Sequence, residues 1–284
     1  MKILVIGDFH GKFSKKIPKI IKKEKVDLIV SLGDFFPFSF KKIWFEHCYG
    51  KKIELWEVIG KKKVRGYIFK DLKQGEKVLQ FLDGLNVLII TVVGNIDYTR
   101  INDCYENDIY QRIKWKWERQ DFFSKIIKRY KNIKRFDYSY LKFGNYVFIG
   151  AYGGSSNGQV KSNNFKGYKK ILDNLFTRFK KENKEKRVIF VSHNVPYNTK
   201  LDLVNSKDAH KKAKGKHLGS KLVRRTIEKY KPFLYFGGHV HESSGLDKLG
   251  KTILVNPGAV YDNQMVLVNL SENNKSKFNI KFIK

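Results

Sequence analysis

The chain has 284 residues, a formal charge of +31 from 58 Lys plus Arg against 27 Asp plus Glu, 42% hydrophobic residues and 14% aromatics. That apolar content excludes a disordered polyelectrolyte, and the length suits one domain with a substantial core. Two cysteines, Cys48 and Cys104, exclude a disulfide framework, lie in no metal-type spacing and suit a reducing cytoplasm. The apolar stretch before Gly7 is too short for a signal-peptide core. The run Val87 to Val93, interrupted by Thr91, is far below a membrane span, so no membrane association is expected.

Residues 2 to 6 are an aliphatic run closed by Gly7, which predicts a buried strand delivering Asp8 to its C-terminal end. A helix at about 14 to 24 and a second buried strand, Val26 to Leu32, closed by Gly33-Asp34, complete a βαβ opening. Ligands of open α/β sheets bind along that edge. Residues 35 to 75 mix aromatics with lysines in no clean period and read as an insertion near the site. A helix at about 76 to 84 leads into the strand Val87 to Val93, which ends at Gly94-Asn95. Residues 105 to 130 suit an amphipathic helical segment, and 136 to 150 alternate as paired strands around Gly144-Asn145. A polar loop at 153 to 164 and a helix at 165 to 183 follow. Val188 to Val191 then delivers Ser192-His193, Phe233 to Phe236 delivers Gly237-Gly238-His239, and short strands fill the remainder from Leu246. The expectation is a single α/β domain over 1–284 with insertions at about 37–75 and 100–135.

Five times an apolar strand ends in a side chain able to bind metal: Asp8 with His10, Asp34, Asn95, His193, and His239 with His241. Singly, Asp8 and Asp34 would read as caps or turn residues. Together, carboxylates, imidazoles and one amide oxygen suit divalent Mn, Fe, Ni or Zn better than Ca or Mg.

The ordered elements Asp8-Phe9-His10, Gly33-Asp34, Gly94-Asn95-Ile96-Asp97, Ser192-His193 and Gly238-His239-Val240-His241 resemble the calcineurin-like metallophosphoesterase family. The family's pattern is DxH, GD, GNH followed by an acid, a lone His, and GHxH. The stretches SHNVPYNTKLDL and HLGSKLVRRTIEKYKPFLYFGGHVHESSG, with the Asn256-Pro257-Gly258 turn, are similar to the Icc-related phosphoesterases of archaea and bacteria. The resemblance implies a four-layer α/β/β/α sandwich with metals at strand C-terminal ends. It implies one metal held by Asp8, His10, Asp34 and His241, and a second held by Asp34, Asn95, His193 and His239, with Asp34 bridging. The cofactors would be two divalent transition ions, Mn foremost with Fe, Ni or Zn as alternatives. A metal-bridging hydroxide would attack a phosphoester substrate.

One position departs from the family. Ile96 stands where the usual His contacts phosphate and assists the leaving group, and Ile has no proton to give. His217, just before a predicted helix whose N-terminus starts near Gly219 and Ser220, is expected to approach the phosphate and replace part of that work; the alternative is a surface residue in a Lys-rich loop. Asp34, Asn95 and His217 are therefore the catalytic candidates, and Asp97 is expected to orient a neighbour. Phosphodiester hydrolysis on nucleotides or nucleic acid is the leading function. A non-catalytic metal-binding scaffold and a phosphomonoesterase are the alternatives. The charge makes nucleic acid a candidate partner, although lysines spread along the whole chain also fit a compositional bias. The mixture of aromatic and basic residues at 110 to 135 could stack bases, but its spacing favours packing on the core. Nothing in the sequence sets an oligomeric state.

Overall fold

The two aliphatic runs that open the chain, Lys2–Ile6 (β1) and Leu28–Ser31 (β2), pair in parallel in the computed structural model, with Ile3 opposite Leu28 and Val5 opposite Val30. The structure describes residues 1–51, 53–99, 114–152, 163–206, 211, 213–271 and 278–284. The first sheet continues with Ile89–Thr91 (β3) and Ile133–Arg135 (β4), both parallel to their neighbours. The second sheet holds Tyr140–Phe143 (β5), Tyr146–Ala151 (β6), Val188–Asn194 (β7), Leu234–Gly238 (β8), Gly245–Leu249 (β9) and Thr252–Asn256 (β10). The chain then returns to the first sheet through Met265–Leu270 (β11) and Phe278–Ile283 (β12). The sheet orders are β12-β11-β1-β2-β3-β4 and β5-β6-β7-β8-β10-β9. In the second sheet β6, β7, β8 and β10 are mutually parallel along the row.

Strand alternation explains the layering. Along β1, Ile3 and Val5 point to one face and Leu4 and Ile6 to the other, and every one of these side chains is buried. Ile3 and Val5 pack with Phe148, Ile189, Val191 and Phe236 of the second sheet, so the two sheets share a core. Leu4 and Ile6 pack instead under helices of the first half. The opposite face of the second sheet, with Val147, Ile149, Phe190 and Tyr235, packs under helices of the second half. Two helical layers therefore enclose two sheets, which is the four-layer α/β/β/α sandwich expected.

The outer helices are Ile17–Glu24 (α1), Lys41–His47 (α2), Leu55–Ile59 (α3), Lys61–Asp83 (α4), Phe122–Ile127 (α5), Asn163–Arg178 (α6), Lys180–Lys184 (α7) and Lys221–Tyr230 (α8). None among the described residues is long and apolar enough to cross a membrane. The longest, α4, corrects the expectation of a short helix at 76 to 84 after an aperiodic segment. Its buried Val64, Ile68, Leu72, Val78, Leu79 and Leu82 form a helical stripe. Two residues on that stripe hid it. Gly75 is there because a Cβ would collide with the Phe36 ring, and Asp71 is buried to accept from the Tyr98 hydroxyl at 2.9 Å and the Ser39 amide at 3.3 Å. Within the described residues, the helix expected across 105 to 130 is interrupted. A 3₁₀ turn at Lys116–Arg119 is followed by α5, whose N-cap Asp121 accepts from the Ser124 amide at 2.8 Å and so starts a new helix; residues 105 to 113 of that expectation lie outside the described residues.

The shared inter-sheet core sets the stability of the edge where the strands end. Phe236 is fully buried there, so Phe236→Ala should lower unfolding free energy by about 3–5 kcal/mol, whereas Phe69→Ala, at an exposed side chain, should cost less than about 1 kcal/mol. Urea unfolding of both variants measures this, and equal losses would contradict the layering described.

Candidate metal centre

Because β1, β2 and β3 run parallel in one sheet and β7 and β8 in the other, their C-terminal ends meet along one edge. Each expected polar residue sits at such an end. Asp8 and His10 follow β1, Asp34 follows β2 and Asn95 follows β3. His193 is the penultimate residue of β7, His239 follows β8, and His241 opens a 3₁₀ turn, His241–Ser243. The turns are tight enough to put Asp8, His10, Asp34 and His239 in the left-handed region at φ +54°, +47°, +57° and +71°. Asp and His tolerate that region better than most residues, but each such position still costs about 1–3 kcal/mol and clusters where function holds it. Gly94 completes the packing of the loops, since a Cβ there would collide with the Asp34 carboxylate.

Two donor groups result. Asp8, His10 and His241 form one, and Asp34, His193 and His239 the other, each with its ligand atoms within 4.8 Å of one another. In the first, His241 Nε2 lies 3.0 Å from Asp8 Oδ1 and 3.3 Å from His10 Nε2. In the second, Asn95 Oδ1 lies 2.8 Å from both His193 Nε2 and His239 Nδ1, which are 3.2 Å apart. Asp34 Oδ2 faces both groups, 3.4 Å from His193 Nε2 and 3.9 Å from His10 Nε2.

The chemistry of these donors fits cations. His193 Nδ1 lies 2.8 Å from the Leu32 carbonyl, which can only accept, so Nδ1 carries the proton and Nε2 of the neutral ring is a bare lone pair. That lone pair converges with the Asn95 amide oxygen and a carboxylate oxygen. Lone pairs aimed at one point, with Asp34 as the one group there that could carry a proton of its own, are best satisfied when a cation sits between them.

Electrostatics agree. Burial, reinforced by the charge of Asp8, pushes the Asp34 carboxyl up to about 8. Burial also raises Asp8, but the charge and hydrogen bond of His241, with His193 and His10, outweigh it and hold Asp8 well below the usual carboxylate range. Burial, with the neighbouring imidazoles His241 and His193 respectively, pushes His10 and His239 down to about 3. His193 is lowered chiefly by burial, while Asp8 overcomes burial to raise His241. The pocket without cations thus holds three imidazoles, His10, His193 and His239, pushed toward the neutral state that coordinates, with His241 raised toward its cationic form and the Asp34 carboxyl held above the usual carboxylate range.

A second ring of residues fixes the first. Asp97, expected to orient a neighbour, accepts from the amides of Asp34, Phe35 and Gly94 at 2.8, 2.7 and 2.7 Å, which ties the turn after β2 to the turn after β3. The amide of Ile96 donates to Asp34 Oδ1 at 3.1 Å, so the backbone at this position serves the carboxylate while its side chain offers no proton. Sequence reasoning missed Tyr261, whose hydroxyl lies 2.8 Å from His241 Nδ1, and Tyr152, whose hydroxyl donates to the Gly94 carbonyl at 2.9 Å. The only signal for Tyr261 was its place three residues beyond the Asn256-Pro257-Gly258 turn. His217 is in neither donor group; its Nδ1 lies 2.7 Å from Asp202 Oδ1, a partner that sequence reasoning also missed.

Other histidines and the remaining aromatic and basic residues fall outside the centre. His47 is exposed beside Glu46, and His210 lies outside the described residues. Trp115 and Trp117 stack at 5.0 Å with the Arg65 guanidinium over both, and Trp115 is buried in the core under the first helical layer, so packing accounts for this part of the 110 to 135 mixture. Arg224 pairs with Glu228 and donates to the Tyr197 and Asn198 carbonyls.

Comparison with known proteins agrees with this geometry. An uncharacterised protein of Methanocaldococcus jannaschii is 29% identical over 281 residues, 96% of this chain and 97% of that protein. The solved structure of TT1561 from Thermus thermophilus superposes with a TM-score of 0.53 at 15% identity, over 99% of this chain and 97% of that one. A purple acid phosphatase from yellow lupin seeds superposes with a TM-score of 0.52 at 13% identity, over all of this chain and 51% of its own. At these identities the two structures share the fold. The profile of the calcineurin-like phosphoesterases matches residues 1–243, and with most of the chain inside that match, the protein belongs to the calcineurin-like phosphoesterase family.

Proposed function

We propose that this protein hydrolyses phosphodiester bonds of nucleotides or nucleic acid, using two divalent transition ions, manganese foremost. Asp8, His10, Asp34 and His241 would hold one ion, and Asp34, Asn95, His193 and His239 the other. The observation that carries the reading is the position of Asp34, whose Oδ2 faces His10 of one group and His193 of the other, as a bridging carboxylate must. When bound, such ions polarise phosphoryl oxygens and make water nucleophilic at neutral pH.

The chain's own residues supply orientation. Asp97 and the Ile96 amide hold Asp34 in place, the Leu32 carbonyl sets the His193 tautomer, and Tyr261 sets His241. Ile96 offers no proton at the position where the family usually has His, which leaves protonation of the leaving group to another residue. The formal charge of +31 supports a polyanionic substrate, and a buried free thiol at Cys48 supports a reducing, cytoplasmic setting.

The test is hydrolysis of bis-p-nitrophenyl phosphate and p-nitrophenyl phosphate with added Mn²⁺. Diester cleavage should exceed monoester cleavage, and Asp34→Asn should reduce it by more than about 100-fold. Bound manganese without hydrolysis of either ester would favour a scaffold instead. A milder probe is Tyr261→Phe, which removes the acceptor for His241 Nδ1. Manganese affinity measured by titration calorimetry should fall about 10-fold while the apoprotein melts within about 2 °C of the parent; unchanged affinity would deny Tyr261 its orienting part.

A further inference from the structure

We propose that His217, oriented by Asp202, is the acid that protonates the departing alcohol, in the place left by Ile96; this rests on the phosphodiesterase reading above. Asp202 is fully buried, yet its carboxylate is well satisfied without the imidazole. It accepts from the amides of Thr199 at 2.8 Å, Asn198 at 2.9 Å and Gly219 at 3.0 Å. Three fixed donors stop the carboxylate from turning, and it then orients the ring through the 2.7 Å contact to Nδ1. Asp202 has three amide donors without the ring, so its contact to Nδ1 serves to orient the imidazole.

The pair is tied to the metal centre from both sides. His217 bridges to Leu203, whose carbonyl accepts from the hydroxyl of Ser243 at 2.7 Å, two residues beyond His241. The next residue, Leu218, offers its carbonyl to the amide group of Asn194 at 3.4 Å, and Asn194 directly follows His193. One residue from each donor group is thus followed within two residues by a strap to the His217 loop. The ring keeps 31% of its side-chain surface in solvent, whereas Asp202 is closed off.

In the step, a water oxygen forms a bond to phosphorus and the bond to the leaving oxygen breaks. The electron pair goes to that oxygen, which takes the Nε2 proton of the His217 imidazolium. The water releases its proton to solvent and the imidazole regains one, so water and diester become monoester and alcohol. Asp202 is a positioning residue, holding Nδ1–H so that Nε2 presents the proton.

The experiment compares two thymidine 5′-phosphodiesters, the p-nitrophenyl and the phenyl ester, on manganese-loaded parent, His217→Ala and Asp202→Asn. For His217→Ala, kcat on the phenyl ester should fall about 100-fold and on the p-nitrophenyl ester about threefold, because the poorer leaving group depends more on protonation. Asp202→Asn should shift both in the same sense by less, added imidazole should restore part of the phenyl-ester rate to His217→Ala, and manganese content should match the parent. If His217→Ala does not fold, His217→Gln, which can still donate to Asp202, reads the same ratio. Equal losses on the two esters, or none, would overturn the dyad while leaving the phosphodiesterase reading intact. A parent protein that cleaves neither ester would remove both.

Discussion

Two buried carboxylates, Asp8 and Asp34, share one desolvated pocket and cannot both ionise there unless positive charge joins them. Most of what surrounds the pocket follows from that constraint. Four imidazoles line it, and three of them are pushed toward the neutral state in which a ring nitrogen offers a lone pair. Only His241 is raised toward its cationic form, where it serves as partial counter-charge to Asp8. Divalent cations would replace that partial answer with a full one, ionising Asp34 and leaving every imidazole free to coordinate.

The sandwich exists in a form that makes this pocket affordable. Parallel strands from both sheets bring their C-terminal ends to one edge, so the donors stand in turns anchored to buried strands that hold the strained backbone. Asp97 shows how closely the parts are coupled. Burial and the charge of Asp34 push it up to about 7 while three amides pull the other way, so one residue both fixes two ligand-bearing turns and feels the same shortage of positive charge.

Legibility in the sequence followed range of interaction. The strand ends at Asp8, Asp34, Asn95, His193 and His239 were readable because each follows a local aliphatic run, and the resemblance supplied the sandwich that assembles them. α4 was not readable, because Gly75 and Asp71 interrupt its apolar stripe for the sake of Phe36 and Tyr98, which lie far off in the chain. Tyr261 and Asp202 escaped for a related reason. Each meets a histidine, 20 and 15 residues away, through one side-chain contact, and no local pattern announces such a pair. His217 was singled out by its motif, but its partner and its separation from the donor groups are properties of the fold.

The most direct test of the account is a crystal of the manganese-loaded protein with anomalous diffraction recorded at the metal edge. Two peaks should flank the Asp34 carboxylate about 3.5–4 Å apart, one beside His10 and His241 and the other beside His193 and His239. A single peak, or ions bound away from Asp34, would contradict the shared-carboxylate centre on which the proposed chemistry depends.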